Sequence, residues 1–314
     1  MVYEPAISIV IPTYNDERFV GFALDSVFAQ TYRNWEIIVV DDGSTDGSVH
    51  VARQYGDRVK VFEQSNSGSA AARNRGIQES MAPYVAFLDA DDFWLPHKLE
   101  AQMKYLASHP ESDFIFCAWR EWHWPQVGDP NELVNGNAAS VTDIAEIDAN
   151  ESGWLYPRLL LDCFIQTSTV LVRKSFLERV GVFDTSLKRG QDYDLWLRCS
   201  RATPIAKISH IGSLYRLRND SITKRIHSVN YGGMILERAV SRWGMQDSRA
   251  CLVSTSGVRK HIGTVWRNFA IEQAKARYYR TAVLAVLRAI RWWPLDLHTW
   301  GCMARIAVTP FLAK

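Results

Sequence analysis

The chain has few cysteines, no long apolar run and no glycine-rich phosphate motif. Its five cysteines (Cys117, Cys163, Cys199, Cys251, Cys302) are scattered, odd in number and never spaced Cys-x-x-Cys. That pattern argues against a disulfide framework or a zinc site and points to a reducing compartment. No stretch reaches the ~18–20 uninterrupted apolar residues that a membrane-spanning helix needs. The first residues run straight into a strand-like pattern, so no signal peptide is expected and the expected location is cytoplasmic. No Gly-x-Gly-x-x-Gly follows a strand and there is no Walker sequence, which sets aside the common dinucleotide and P-loop sites. His97, His123, His210 and His227 lie too far apart to suggest a metal centre.

The 314 residues suffice for one large domain or two ordinary ones, and 47% apolar with 22% charged residues is a globular composition. The net charge of +2 conceals a split. From Thr255 to Lys314 there are ten Lys and Arg against Glu272 and Asp296, so that segment carries 10 − 2 = +8 and the remainder 2 − 8 = −6. A basic tail on an acidic body suggests a separate electrostatic partner for the tail.

Over the first 118 residues apolar runs alternate with amphipathic segments. Strands are expected at Ala6–Ile11, Trp35–Val40, Val59–Phe62, Tyr84–Leu88 and Phe114–Ala118. Helices are expected at Arg18–Gln30, Gly47–Gln54, Ser69–Glu79 and Lys98–His109. Continuous apolar strands between amphipathic helices imply an α/β fold, with a mostly parallel sheet covered on both faces. Trp119–Ser152 loses this pattern and reads as an insertion. A helix at Trp154–Asp162, a strand at Thr167–Val172, helices at Lys174–Val180 and Asp192–Arg201, and strands near Ile205–Ile208 and Ser213–Arg218 follow. From about Val229 the chain reads as helical.

In open parallel sheets ligands bind beyond the carboxyl ends of the strands, and the polar clusters fall at those ends. Strand one runs into Pro12-Thr13-Tyr14-Asn15, strand two into Asp41-Asp42-Gly43-Ser44, and strand three leads to Ser65-Asn66-Ser67-Gly68. Strand four ends in Asp89-Ala90-Asp91-Asp92, three carboxylates that raise one another's pKa and call for a cation. Mg²⁺ or Mn²⁺, held by one or two carboxylates and the phosphates of a substrate, would answer that need. Asp41-Asp42 reads equally as a base- or ribose-binding pair or as a turn leading to a helix capped by Asp46. The small-residue helix from Gly68 can lie close to the sheet, and its Arg73 and Arg75 would reach either phosphates or surface carboxylates. Asp192 and Asp194 open a helix, where capping alone explains one of them; the other suits a general base if the fold brings it near Asp89–Asp92. Leu214–Arg218 alternates so that Arg216 and Arg218 share a strand face.

Taken in order, these clusters resemble the inverting family 2 glycosyltransferases of the GT-A fold. The resemblance rests on Ile9–Asn15, Asp41–Asp46, Asn66-Ser67-Gly68 with Ala72-Arg73-Asn74, Phe87–Asp92 and Gly190–Arg198, and it fades after about Ser221. It implies a nucleotide-sugar donor, a UDP-sugar being the first expectation, and Mg²⁺ or Mn²⁺ on the diphosphate. On that basis Pro12, Thr13, Tyr14 and Asn15 border the nucleotide and Asp42 contacts the base. Gly68 and Arg73 lie on the nucleotide-sugar side with Asp89, Ala90 and Asp91, the Asp-x-Asp element. Asp91 and Asp92 are the metal-ligand candidates, members of the family differing in which carboxylate ligates, and Asp192 matches the catalytic base. Gln191 stands where the family more often has Glu.

The implied organisation is a GT-A catalytic domain over residues 1–225 and a helical, basic region over 226–314. In the tail, Arg277, Arg280, Arg288 and Arg291 project within roughly an 80° arc of one helix. Leucines and Trp292, Trp293 and Trp300 lie nearby. This suits the anionic inner face of a cell membrane, or a helical subdomain packed on the core. No nucleic-acid-binding motif accompanies the charge. The expected acceptor is a glycan or lipid-linked glycan. Two rivals are a sugar-phosphate nucleotidyltransferase, whose Gly-rich phosphate loop is lacking here, and a non-catalytic nucleotide-binding membrane scaffold.

Overall fold

The aliphatic runs separated by turn residues become the strands of one eight-stranded sheet. The structure, a computed structural model, describes residues 4–123, 145–217, 227–250 and 252–312. The strands are β1 (Ile7–Thr13), β2 (Trp35–Asp41), β3 (Val59–Glu63), β4 (Tyr84–Phe87), β5 (Phe93–Trp94), β6 (Phe114–His123), β7 (Leu171–Arg173) and β8 (Ala206–Leu217). The helices are α1 (Val20–Phe28), α2 (Ser48–Arg53), α3 (Ser69–Glu79), α4 (Lys98–Ser108), α5 (Tyr156–Leu159), α6 (Lys174–Val180) and α7 (Gln191–Ala202). They continue with α8 (Tyr231–Trp243), α9 (Thr255–Lys275), α10 (Tyr279–Trp292) and α11 (Leu297–Leu312).

The strand order is β3-β2-β1-β4-β7-β6-β8-β5. β3, β2, β1 and β4 run parallel, β7 is antiparallel to both β4 and β6, β6 and β8 are parallel, and β5 closes the edge antiparallel to β8. The sheet is therefore mixed but mostly parallel, as its unbroken apolar strands imply. β1 is buried along its whole length, the mark of a central strand covered on both faces. Helix α3 approaches it closely: a Cβ on Gly76 would fall 2.3 Å from Val10 Cγ1.

Several elements depart from the sequence expectation. β6 continues through Arg120, Glu121 and His123, because it pairs with β8 as far as His123↔Leu217, buries Trp122 and leaves its polar neighbours outward. β8 is one strand, not two, and its pairing with β6 shifts register on either side of Ala118. β5 is short enough to escape any periodicity. Thr167–Thr169 is a 3-10 turn and only Leu171–Arg173 is strand. The helix expected over Trp154–Asp162 shortens to α5. Residues 124–144 of the expected insertion and Arg218 lie outside the described residues.

Contacts divide the chain into two units, Met1–Leu155 with Phe164–Asn219 and Tyr156–Cys163 with Asp220–Lys314. In the second, Asn230 and Ser254 side chains accept from Gly233 N and Gly257 N and so cap α8 and α9. Val258, Ile262, Trp266 and Ala270 of α9, and Ala282, Ala285, Val286 and Ala289 of α10, form the buried faces of two helices that pack on each other. Arg277 does not share the face of Arg280, Arg288 and Arg291: it lies in the turn before α10 with φ +64°. Among the described residues no helix is long and apolar enough to cross a membrane.

Candidate functional site

The rim at the carboxyl ends of β1, β2 and β4 is built from loops that tie one another down. Thr13 is buried at the end of β1, Pro12 precedes it, and Tyr14 beyond it is exposed. Asn15 is held in the left-handed region at φ +55°. Its N–H donates to Ser44 Oγ at 2.9 Å and its Oδ1 accepts from Thr45 N at 2.8 Å. Asn tolerates this backbone better than most residues, and a functional rim is where such strain is found.

Asp41 and Asp42 divide their work. Asp41 Oδ2 accepts from Gly43 N and Ser44 N, the turn-forming role. Asp46 accepts from Ser48 N ahead of α2. Asp42 instead reaches across to the loop before α3, accepting from Gln64 Nε2 at 2.7 Å, Ser67 N at 2.9 Å and Gly68 N at 2.7 Å. The backbone at Asp42 donates to Thr13 O at 2.9 Å, so the first three loops form one connected rim.

The carboxylates past β4 lie deeper. Arg73, 7% exposed on α3, pairs with Asp89, and its guanidinium lies over the Phe183 ring at 5.4 Å. Arg75 turns away, donating to Glu63 O and lying over Phe62, which assigns it to the edge of the sheet. Asp92 is 1% exposed and well engaged. Its Oδ2 accepts from Ser168 Oγ at 2.5 Å and Gln166 Nε2 at 2.6 Å, and its Oδ1 from Arg216 N at 3.1 Å. Ala90 is buried between its acidic neighbours. Arg216 also donates from Nε to the Asp91 carbonyl at 2.6 Å, with its guanidinium 3.9 Å from the Trp122 ring centroid.

Asp192 and Asp194, two residues apart, separate. Asp194 pairs with Arg198 at 2.9 Å, and Arg198 also donates to the carbonyls of Val180, Gly181 and Val182. Asp192, in the first turn of α7, accepts from Thr167 Oγ1 at 3.2 Å. Gly190 ahead of it adopts φ +69°, a left-handed conformation that suits glycine. Asn74 and Phe183 exchange two hydrogen bonds of 2.9 and 3.0 Å, fastening α3 to the segment that leads into α7.

Electrostatics place the acids together. Burial opposes the Arg73 charge, yet Asp89, Asp192 and Asp91 outweigh it and hold its pKa above the ordinary value. Burial, then the charges of Asp91 and Asp89, push Asp92 well above the usual carboxylate range, against its bonds from Ser168 and Arg216 N. Burial raises Tyr215, and Asp92, Asp91, Asp89 and Asp192 raise it further. Asp89, Asp91 and Asp192 thus act on the one guanidinium of Arg73, with Asp92 beside Asp89 and Asp91, an excess of acidic groups that a divalent cation would complement. Among the described residues no group of three or more His, Cys, Asp or Glu is arranged to hold a metal by itself.

Sequence reasoning missed Gln166, Thr167 and Ser168, because a Gln-Thr-Ser-Thr stretch before Val170-Leu171-Val172 reads as the start of a strand. Arg216 was visible as a strand arginine, but not its hold on the Asp91 backbone.

Residues 8–144 match the sequence profile of the family described as Glycosyl transferase family 2. The chain is 39% identical to the putative teichuronic acid biosynthesis glycosyltransferase TuaG of Bacillus subtilis, over 83% of this chain and 99% of that protein. It is 30% identical to the UDP-Glc:alpha-D-GlcNAc-diphosphoundecaprenol beta-1,3-glucosyltransferase WfgD of Escherichia coli, over 69% of this chain and 79% of that one. It also matches uncharacterized glycosyltransferases of five Rickettsia species, of whose lengths it spans 30% to 66%. Among solved structures, S. aureus TarS 1-349 in complex with UDP superposes with TM-score 0.62 at 17% identity, over 92% of this chain and 81% of that one. The mannosyltransferase PcManGT from Pyrobaculum calidifontis, in complex with GDP-Man and Mn²⁺, gives 0.56 at 18%, over 99% and 81%. At these identities the structural likeness concerns the fold.

Proposed function

The chain belongs to glycosyl transferase family 2, and we propose that it moves a sugar from a nucleotide-diphosphate sugar to the hydroxyl of a glycan or lipid-linked acceptor with inversion. The observation that carries this reading is the gathering of Asp89 and Asp91, from the end of a parallel strand, and Asp192, from the first turn of α7, around Arg73, with Asp92 and all three of them acting on Tyr215. A UDP-sugar is the donor we expect first, since both TarS and WfgD are described with uridine nucleotides.

In this reading Pro12–Asn15, Asp42 and Gly68 form the nucleotide rim, while Asp89, oriented by Arg73, and Ala90 border the ribose. Asp192 accepts the proton of the acceptor hydroxyl as its oxygen attacks the anomeric carbon. The nucleotide diphosphate leaves from the opposite face, so one displacement inverts the centre. A Mg²⁺ or Mn²⁺ ion, when bound, would offset charge on the departing diphosphate. Asp91 and Asp92 are the candidate ligands, and both Asp92 oxygens also accept hydrogen bonds inside the protein.

Catalysis is assigned to residues 1–225 and contact with an anionic membrane, at the cytoplasmic face, to 226–314. The exposed side of α10 supports the second assignment. Arg280, Leu284, Leu287, Arg288 and Arg291 are all exposed there, and Leu295, Leu297 and Trp300 are exposed just beyond. Leucines framed by arginines suit a bilayer surface carrying anionic headgroups.

Thermal-shift screening of UDP-, GDP- and dTDP-sugars, each with and without Mn²⁺, tests the donor assignment. One nucleotide class should raise the melting temperature in a Mn²⁺-dependent way. No stabilisation by any of them would overturn it.

A further inference from the structure

One short turn touches both sets of acids that the proposed reaction needs, although they lie about a hundred residues apart in the chain. The 3-10 turn Thr167–Thr169 is buried, Gln166 before it is half-buried, and the hydroxyls of Thr167 and Ser168 point at carboxylates. Ser168 Oγ donates to Asp92 Oδ2 and accepts from Asp89 N at 3.0 Å, so it fixes both ends of the Asp89–Asp92 turn. Its neighbour Thr167 donates to Asp192. Gln166 adds a second donor to Asp92.

The turn is itself held from behind. Thr169 Oγ1 closes it on Gln166 O at 2.6 Å. Trp94 Nε1 donates to Ser168 O at 2.6 Å, and Gln102 Nε2 to Thr169 O at 2.9 Å. Lys98 Nζ in turn donates to Gln102 Oε1 at 2.9 Å. Side chains locked in this way can hold a functional group to within the small tolerance that chemistry needs.

We infer that Thr167 and Ser168 are positioning residues, Ser168 setting the donor-side acids Asp89–Asp92 and Thr167 aiming Asp192. The inference rests on the functional reading above. It assigns the two hydroxyls separable effects: loss of the Ser168 hydroxyl weakens nucleotide binding, and loss of the Thr167 hydroxyl slows turnover while leaving nucleotide binding intact.

The test is isothermal titration of UDP and of GDP in the presence of Mn²⁺, using the tighter nucleotide as probe, on the full chain and its variants. Turnover is followed as nucleotide release from the nucleotide-sugar picked out by the thermal-shift screen. Ser168→Ala should weaken Mn²⁺-dependent nucleotide binding roughly 10–100-fold, the usual cost of losing an outer-shell partner of a metal site. Thr167→Val, nearly isosteric, should keep the wild-type Kd and lower turnover about tenfold, the scale of one hydrogen bond to a charged group. Thr167→Ser should restore the rate. Circular dichroism melts check that each variant is folded. Wild-type binding accompanied by unchanged Kd in Ser168→Ala and unchanged rate in Thr167→Val would overturn this inference alone. Absence of nucleotide binding by the wild type would overturn the functional reading and this inference with it.

Discussion

Gly76 of α3 lies against Val10 of β1 so closely that a Cβ at position 76 would fall 2.3 Å from Val10 Cγ1. The helix starts from, and the strand ends at, the rim formed by the loops after β1, β2 and β3. Gly76→Ala should therefore destabilise the fold by about 1–3 kcal/mol through overpacking, despite Ala being the better helix former. Chemical denaturation would measure the loss as a lower midpoint with an unchanged slope.

Asp192 and Asp91 should fail in different ways. Asp192→Asn keeps the shape and removes the basic oxygen, so transfer should fall by roughly 10²–10⁴-fold while nucleotide binding persists. Asp91→Asn, like treatment of the wild type with EDTA, should abolish the Mn²⁺-dependent part of nucleotide binding. Calorimetry combined with a transfer assay separates the two outcomes. Full activity in both variants would exclude the proposed chemistry.

Lys98 provides a pH-dependent stability test away from the rim. It is fully buried, and burial pulls its pKa from 10.5 down to about 8. Between those values the unfolded chain binds a proton that the folded chain has lost, so this group makes stability rise with pH across about 8 to 10.5. Below that window its cost to folding is constant and amounts to about 3 kcal/mol. Replacing it by Met removes the titration. The stability of Lys98→Met relative to wild type should be most favourable near pH 7 and should decline as pH approaches 10.5. Urea melts at both ends of the range would show it.

The exposed side of α10 is open to a direct test. Leu284 and Leu287 are 58% and 49% exposed, so Leu284→Glu with Leu287→Glu should leave the melting temperature nearly unchanged. Binding to vesicles containing phosphatidylglycerol should drop at least tenfold in a flotation assay, since two apolar side chains of ~1.5–3 kcal/mol each are withdrawn and charge is reversed. Equal flotation of variant and wild type would remove the membrane assignment.

Much of the fold was legible because buried parallel strands write themselves as unbroken aliphatic runs. β1 to β4, α3 and α6 appear almost where periodicity puts them, α3 and α6 to the residue. The acids at the strand ends were equally visible, since charge directly after an apolar run has few structural explanations. What escaped were features set by tertiary partners. The polar end of β6 is strand only because β8 runs beside it, and the two residues of β5 carry no period at all. Thr167–Thr169, rich in β-branched residues, curls into a turn because its hydroxyls and carbonyls find partners in the buried Asp92, Trp94 and Gln102 and in Asp192. The separation of Asp192 from Asp194 was likewise unreadable, because it depends on where Arg198 and Thr167 stand in space.

The paired hydrogen bonds between Asn74 and Phe183, with the grip of Arg198 on Val180, Gly181 and Val182, anchor the chain just before Asp184. Gly190 and α7 anchor it again on the far side. The stretch between them is a bridge held at both abutments and pinned once more in its span by the buried Leu187. Within the span Leu187 is buried and Ser186 donates to Asp184 Oδ1 at 2.6 Å, whereas Thr185 and Lys188 are exposed, so those two side chains are the ones open to exchange. For anyone redesigning this protein, Thr185 and Lys188 are the positions of that bridge where a side chain can be changed while its own anchor, Leu187, is kept.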